Sequence, residues 1–299
     1  MLRTLTACAA SLALLCPASA QADAVHDALE AYALYQNDVS TLLDVDIENA
    51  RTVDAALARM RRHNSENVGR GWIAYGALTA AESDRFSSAV QSRIRREGRG
   101  PVLRQLRESP GYARQLQNSS QAIGLILNAA SADSARATAA GDRYDSFART
   151  AGRAQLTATG RATLPGETRL SDEMLDRLRG AGRVERTSIS YGDRGYWDTL
   201  SGREGRAPAG RARGEDRSYA SVTDNMLTLA ALIVADATSS ERRHVSTLLD
   251  EPLTQNCMHM QQLQLRQCLS VSVDAGERAY CLGHHALEGP GSCFSNIAR

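Results

Sequence analysis

The placement of sulfur constrains this chain more than any other feature. It has six cysteines: Cys8 and Cys16 lie in the opening stretch, while Cys257, Cys268, Cys281 and Cys293 all fall near the carboxyl end. The opening stretch reads as an export signal. Arg3 gives a short positive region, residues 5–16 are apolar or small, Pro17 interrupts them, and Ala18-Ser19-Ala20 and Ala20-Gln21-Ala22 each present the small-x-small pattern that a signal peptidase accepts. The apolar run is far shorter than the roughly 20 residues a membrane span needs. Leu5-Thr6-Ala7-Cys8 has a lipobox outline but lies too early, and Cys16 follows Leu15 where a small residue is wanted. Cleavage after residue 22 removes Cys8 and Cys16, and the cysteines that remain form an even set in an oxidising compartment, where such sets pair.

Helical geometry narrows the three possible pairings. Residues 255–270 read as one helix, which holds Cys257 and Cys268 about 16 Å apart at ~1.5 Å per residue, on the same face and out of disulfide reach. A second helix is predicted to start at Asp274 with Glu277, carry Cys281, and break at Gly289-Pro290-Gly291 before Cys293. Two antiparallel helices would set Cys268 beside Cys281 and let the tail return Cys293 to Cys257. This nested pairing is the preferred one. The crossed pairing, Cys257 with Cys281 and Cys268 with Cys293, is the alternative. The nested outline is similar to the twin-cysteine helical hairpins of other oxidising compartments, with different intervals. Closing its inner loop is worth about 3 kcal/mol by restricting the unfolded chain.

The rest of the chain is helical in pattern. Val25, Leu29, Tyr32, Val39 and Leu42 recur at three- and four-residue steps, and Val53, Ala56, Leu57 and Met60 form a second stripe that ends in a basic turn, with His63-Asn64 as its stop. Residues 66–78, 82–97, 101–108 and 119–150 follow as helical candidates. Thr79 with Glu82, Asn118 with Gln121, Thr238 with Glu241 and Asp274 with Glu277 read as capping boxes. Residues 221–237 are the most apolar segment and are predicted to form the central helix; Val245, Leu248 and Leu249 lie on a further helix that Pro252 ends. Between the helical regions, residues 151–220 are crowded with Gly and Arg. The stretch 201–217 has nothing to bury and is expected to be disordered. Aromatic residues make up only 5%, so the core must be built from Ala, Leu, Val and Ile, which suits closely packed helices.

The fold expected is therefore mainly α: an irregular multi-helix bundle with a long Gly/Arg-rich loop and a C-terminal disulfide-stapled helical hairpin. Its divisions are a signal peptide at 1–22, a helical region at 23–150, the loop at 151–220 and a second helical region at 221–299, which either shares one core with the first or forms its own.

Composition excludes several functions. All 35 residues in the Lys+Arg count are Arg, which removes Schiff-base catalysis and the phosphate-loop lysine. The formal charge of +1 falls to about zero once Arg3 is cleaved, so nothing favours nucleic acid or an anionic membrane. There is no Gly-x-Ser-x-Gly elbow and no Ser-x-x-Lys pair. Cys281, His284, Glu288 and His259 could be imagined as a zinc set, but oxidised sulfur is not a ligand, and no metal or cofactor is expected. His26 with Glu30 and His244 near Asp250 read as solvated helix-face groups, and Trp72 with Tyr75 as core. The loop residues Tyr191, Arg194, Tyr196 and Trp197 could stack on a sugar or a protein and form the candidate binding loop. The expected function is a periplasmic or secreted protein that binds or scaffolds an envelope protein or glycan without catalysis. The alternative is a hydrolase acting on cell-wall sugar or peptide.

Overall fold

The computed structural model describes residues 24–157 and 214–298. Among these the chain is helical, and its one β-type pairing is an isolated bridge between Glu215 and Ala298. Helix α1 (Ala24–Asp44) buries the stripe Val25, Leu29, Tyr32, Val39 and Leu42. Helix α2 (Ala50–Arg61) starts at Asn49, whose side chain accepts from the N–H groups of Arg51 and Thr52 while Thr52 returns a bond to the cap. Asn64 ends the turn after α2 and caps α3 (Ser65–Ala81), accepting from Glu66 and Asn67. Helices α4 (Asp84–Glu97) and α5 (Arg99–Glu108) and a 3-10 turn (Tyr112–Gln115) lead into α6 (Ser119–Thr157). After a 3-10 turn (Arg217–Tyr219) come α7 (Ala220–Val234), α8 (Arg242–Leu249) and α9 (Pro252–Val271). The chain closes with α10 (Ala275–Cys281), a π-helical segment (Leu282–Glu288) and α11 (Gly289–Ser295).

Helix α3 is buried on nearly every side, from Val68 through Ala80, and packs on α1, α6, α7 and α9. The centre expected at 221–237 is thus shared: α7 is as apolar as expected, yet it lies against α3, which has neighbours on more faces. Gly71 and Gly76 allow this, because a Cβ at the first would overlap the Ala28 carbonyl and one at the second the Met226 sulfur. One cluster of buried apolar residues runs from Val25 to Ile297 and draws on both sides of the undescribed segment.

Several local expectations are corrected. Of the four capping boxes only Asp274 with Glu277 is recognisable, in a shifted form: Asp274 accepts from the Glu277 N–H at 2.8 Å, and Glu277 accepts from the Val273 N–H, one residue before the cap, at 2.6 Å. Thr79 is buried inside α3 and donates to the Tyr75 carbonyl at 2.9 Å, so Ser83 caps α4 instead. Asn118 adopts φ +62° and its amide donates to the Arg85 carbonyl. Glu241 makes no side-chain cap, its carboxylate being held by Arg107 at 3.1 Å. Residues 151–157, expected in the loop, belong instead to a helix. Helix α6 runs to Thr157, and the chain is described again from Gly214. There Arg114 clamps it through Glu215 at 2.8 Å, with Asp224 at 2.6 Å on the guanidinium's other side. The disorder expected at 201–217 otherwise lies outside the described residues.

The carboxyl end carries the largest correction. Gly289-Pro290-Gly291 does not break the helix. The segment Leu282–Glu288 winds wider, with the Gly289 N–H reaching back to the His284 carbonyl, and Pro290 enters the first turn of α11. Proline brings no N–H to the carbonyl four residues earlier, that of Ala286, and the hydroxyl of Tyr35 donates to that oxygen at 3.3 Å. The glycines serve close packing: a Cβ at Gly291 would lie 2.9 Å from that of Ala137 on α6, and one at Gly289 would overlap the Gln261 side chain of α9. Gly141 and Gly283 face each other so tightly that a Cβ on either would lie within 2.9 Å of the other's carbonyl.

Candidate functional site

The sulfurs pair Cys257 with Cys293 across 36 residues and Cys268 with Cys281 across 13, which is the nested arrangement. The outer bond ties the amino-terminal half of α9 to α11. The inner one ties the end of α9 to the end of α10. Helices α10 and α11 and the π segment lie on α6, while α9 lies against α3 and the rest of the hairpin with one face left outward. Its inward face buries Thr254, Met258 and Leu265. Its outward face carries Leu253, Met260, Leu263 and Val271, all exposed, with Asn256 and Gln267 between them.

A groove of about 840 Å³ opens where the turn of this hairpin meets the carboxyl-terminal half of α6. Helix α6 contributes Asp145, Ala148 and Arg149. The Cys268–Cys281 bond forms part of the wall, and Val271, Asp274, Glu277 and Tyr280 come from the turn and α10. Tyr280 is 44% exposed, and its ring lies 4.4 Å from that of His284. His284 sits between two carboxylates: its Nδ1 is 2.9 Å from Glu288, one helical turn on, and its Nε2 is 4.0 Å from Asp145. Asp145 is held by Arg149 in a close ion pair. Ser272, the hydroxyl in this wall, donates to the Leu269 carbonyl at 3.0 Å. Three lining carboxylates, Asp145, Asp274 and Glu277, against the single guanidinium of Arg149 leave the groove net negative by two with His284 neutral.

The carboxyls with shifted proton affinity lie elsewhere and are locked. Burial pushes Asp133 on α6 up to about 6, against the opposing pull of the Arg136 guanidinium and the Tyr32 hydroxyl. Tyr32 and Arg136 both donate to Asp133, at 2.5 Å and 2.8 Å, while Gln36 joins the two donors by donating to Tyr32 at 2.8 Å and accepting from Arg136 at 3.1 Å. Burial also pushes Asp38 up, but bonds from His63, Arg62 and Arg59 outweigh it and hold the carboxyl below its usual range. Both groups are fully buried in the helix packing and face no cavity wall described here.

Among the residues singled out from sequence, the four cysteines are brought together as stated. Cys281 is oxidised and supplies no thiolate, while His284 and Glu288 share a helix face in direct contact; among the described residues no cluster of three metal-ligating side chains occurs. Tyr191, Arg194, Tyr196 and Trp197 lie outside the described residues. Trp72 and Tyr75 are core, packed with Tyr32 and Phe294. His244 is not solvated beside Asp250: burial pushes its imidazole down, and Asp250 pairs with Arg70 at 3.2 Å. Asp145 and Tyr280 were missed. Tyr280, His284 and Glu288 do recur at four-residue steps, a readable face, but Asp145 joins them only through the packing of α6. No family model, curated protein or solved structure matches this chain. No described helix is long and apolar enough to cross a membrane.

Proposed function

We propose that this chain is an exported, non-enzymatic binding protein of the cell envelope whose contact surface is the stapled hairpin of α9 and α10. One observation carries the reading. Among the described residues, the large apolar side chains that stand exposed are Leu253, Met260, Leu263, Val271, Val273 and Tyr280, and every one belongs to this hairpin or its turn. Elsewhere among the described residues such groups are buried or partly buried against the core, and apolar groups gathered on one element mark a contact site. Two disulfides hold that element rigid before any partner arrives, which lowers the entropy lost on binding, and they suit an oxidising compartment such as the periplasm.

The hydrolytic alternative would rest on His284, the imidazole of the groove. Its neighbours are carboxylates and a phenol ring, and the adjacent hydroxyl of Ser272 is directed at backbone. A nucleophile placed against a base, the arrangement acyl transfer requires, is absent among the described residues of the groove.

Site-specific photo-crosslinking in the producing cell tests the binding reading. A crosslinking side chain at Met260 or Leu263 should give a discrete adduct, and one at the exposed Arg96 on α4 should not. Adducts from Arg96 alone, or from all three positions equally, would overturn it.

A further inference from the structure

We infer that the outward face of α9 is taken by the same face of a second copy of this chain, the two helices running antiparallel about a two-fold axis between Met260 and Leu263. The inference names a partner for the hairpin surface proposed above and rests on that reading. Its basis is the order of side chains along the face. Leu253, Asn256, Met260, Leu263, Gln267 and Ser270 follow one another at alternating steps of three and four residues, and all are exposed. This is the spacing of the seam along which two helices pack. The face is also almost free of charge. Among the 20 residues of α9 the only Asp, Glu, Lys or Arg is Arg266, whereas a chain that is 23% charged would place about five there. Lack of charge combined with exposed methionine marks the centre of a protein contact rather than ordinary surface.

The sequence of the face is its own complement when reversed. With the axis between Met260 and Leu263, each Met260 meets Leu263 of the second copy. Asn256 then meets Gln267 on either side, and Leu253 meets Ser270 and the adjoining Val271 at each end. Apolar groups face apolar groups, and the amides, which need a hydrogen bond once water is excluded, face each other. Sliding the copy by one heptad sets Asn256 on Met260 or Gln267 on Leu263, so an amide is buried against an apolar side chain. A parallel copy keeps like on like but brings the two hairpin turns together, and each carries a groove lined by Asp145, Asp274 and Glu277 against Arg149 alone. It also sets the two Arg266 side chains level. Antiparallel, the turns stand at opposite ends of a contact about 27 Å long, from residue 253 to 271 at ~1.5 Å per residue. The amino-terminal end of the second α9 then reaches the turn, where Val271 is 74% and Val273 73% exposed and Tyr280 stands at the groove wall. Leu253 arriving there covers apolar surface that one chain leaves in water. Both copies together offer on the order of 1,000 Å² on this face, the lower end for a specific contact, so the pair is a weak one.

Sedimentation velocity of the purified chain between about 1 and 300 μM tests the pairing, and the native chain should pass from monomer to dimer with a midpoint of about 10 μM. M260E and L263R each set a charge against an apolar group of the second copy and should weaken association about a hundredfold. Both positions are exposed, so the thermal midpoint should not move. The combined variant M260E/L263R reads the register. In the antiparallel pair each new carboxylate meets a new guanidinium, and association should return to within about tenfold of native; in a parallel pair like charges would meet and association would be lost. A native chain that stays monomeric throughout, association that M260E and L263R leave unchanged, or a combined variant no better than the single ones would overturn the inference. In the producing cell, the crosslinker at Met260 should give an adduct of twice the chain's mass. Adducts of other masses alone would overturn the self-pairing and leave the hairpin as the contact surface, whereas no adduct of any mass would remove that surface too.

Discussion

Replacing Asp133 with Asn should change the slope of stability against pH by an amount the structure sets. Asp133 lies fully buried on α6, accepts from Tyr32 at 2.5 Å and from Arg136 at 2.8 Å, and burial outweighs both to bring its carboxyl to about 6. In an unfolded chain an aspartate titrates near ~3.9. Between about pH 4 and pH 6 the native chain therefore keeps a proton that the unfolded chain has released, and stability falls as pH rises. A gap of roughly two pH units at about 1.4 kcal/mol each gives a loss of about 3 kcal/mol across that window. Asn has no proton to lose. The unfolding free energy of D133N minus that of the native chain should be flat below about pH 4, climb by about 3 kcal/mol, and flatten again above about pH 6. Any constant offset from setting an amide against Arg136 cancels in this slope, as do all other titrating groups. Urea denaturation followed by far-ultraviolet circular dichroism at closely spaced pH values reads it directly. A flat difference would refute the reasoning, because it would mean that the guanidinium and the phenol keep the carboxylate ionised throughout. A falling one would show that pairing outweighs burial.

Three further outcomes follow from other buried groups. Replacing Cys268 and Cys281 by Ser should lower the urea-derived stability by about 3 kcal/mol, and replacing Cys257 and Cys293 by about 4, in proportion to the logarithm of the loop each bond closes. Asp38→Asn leaves Arg59, Arg62 and His63 converging on a neutral amide and should cost about 3 kcal/mol, the low end for a broken buried pair because Arg62 stays 33% exposed; thermal denaturation at neutral pH measures it. Burial lowers the His244 pKa below its ordinary value, so its contribution is present above about pH 6.5 and lost as pH falls, when the unfolded chain takes up a proton that the folded one resists. His244→Gln should flatten the native loss of thermal midpoint on the acid side of neutrality.

Much of the fold was readable because it rests on local rules. The stripes of α1 and α2 follow the helical period, and the cysteine pairing follows from the rise of one helix and the capping box of the next. What escaped depends on contacts between distant residues. The helix continues past Gly289-Pro290-Gly291 with a π segment before it and with Tyr35, 251 residues earlier, donating to the Ala286 carbonyl; nothing near the proline announces that contact. Asp133 and Arg136 stand three residues apart on a helix with no local sign of burial, and only Tyr32 and Gln36 of α1, about a hundred residues away, turn them into a buried network. Asp145 enters the groove for the same reason. The apolar period of α9 was visible, but Leu253, Met260, Leu263 and Val271 have the spacing of a core face, and period alone does not say which face is covered.

That last ambiguity explains why the staple and the exposed face occur together. Helix α9 spans 20 residues and buries only Thr254, Met258 and Leu265. At about 1.5–3 kcal/mol for each fully buried large apolar side chain, Met258 and Leu265 fix it by about 3–6 kcal/mol, with a smaller share from the partly buried Leu269, before the entropy of ordering the helix is subtracted. A surface helix ordinarily turns its apolar residues inward, and this one leaves four of its largest facing out. Two cross-links worth about 3 and 4 kcal/mol match the missing burial in size, and they act on the unfolded chain, so they require no apolar group to be covered. The outward face is thereby free to stay apolar. Reduction should accordingly release α9 before the rest: hydrogen exchange under mild thiol should rise in residues 252–281 while α3 and α7 remain protected. Uniform loss of protection across the chain would show that α9 is held by the core after all, and that its exposed side chains are not what the disulfides compensate.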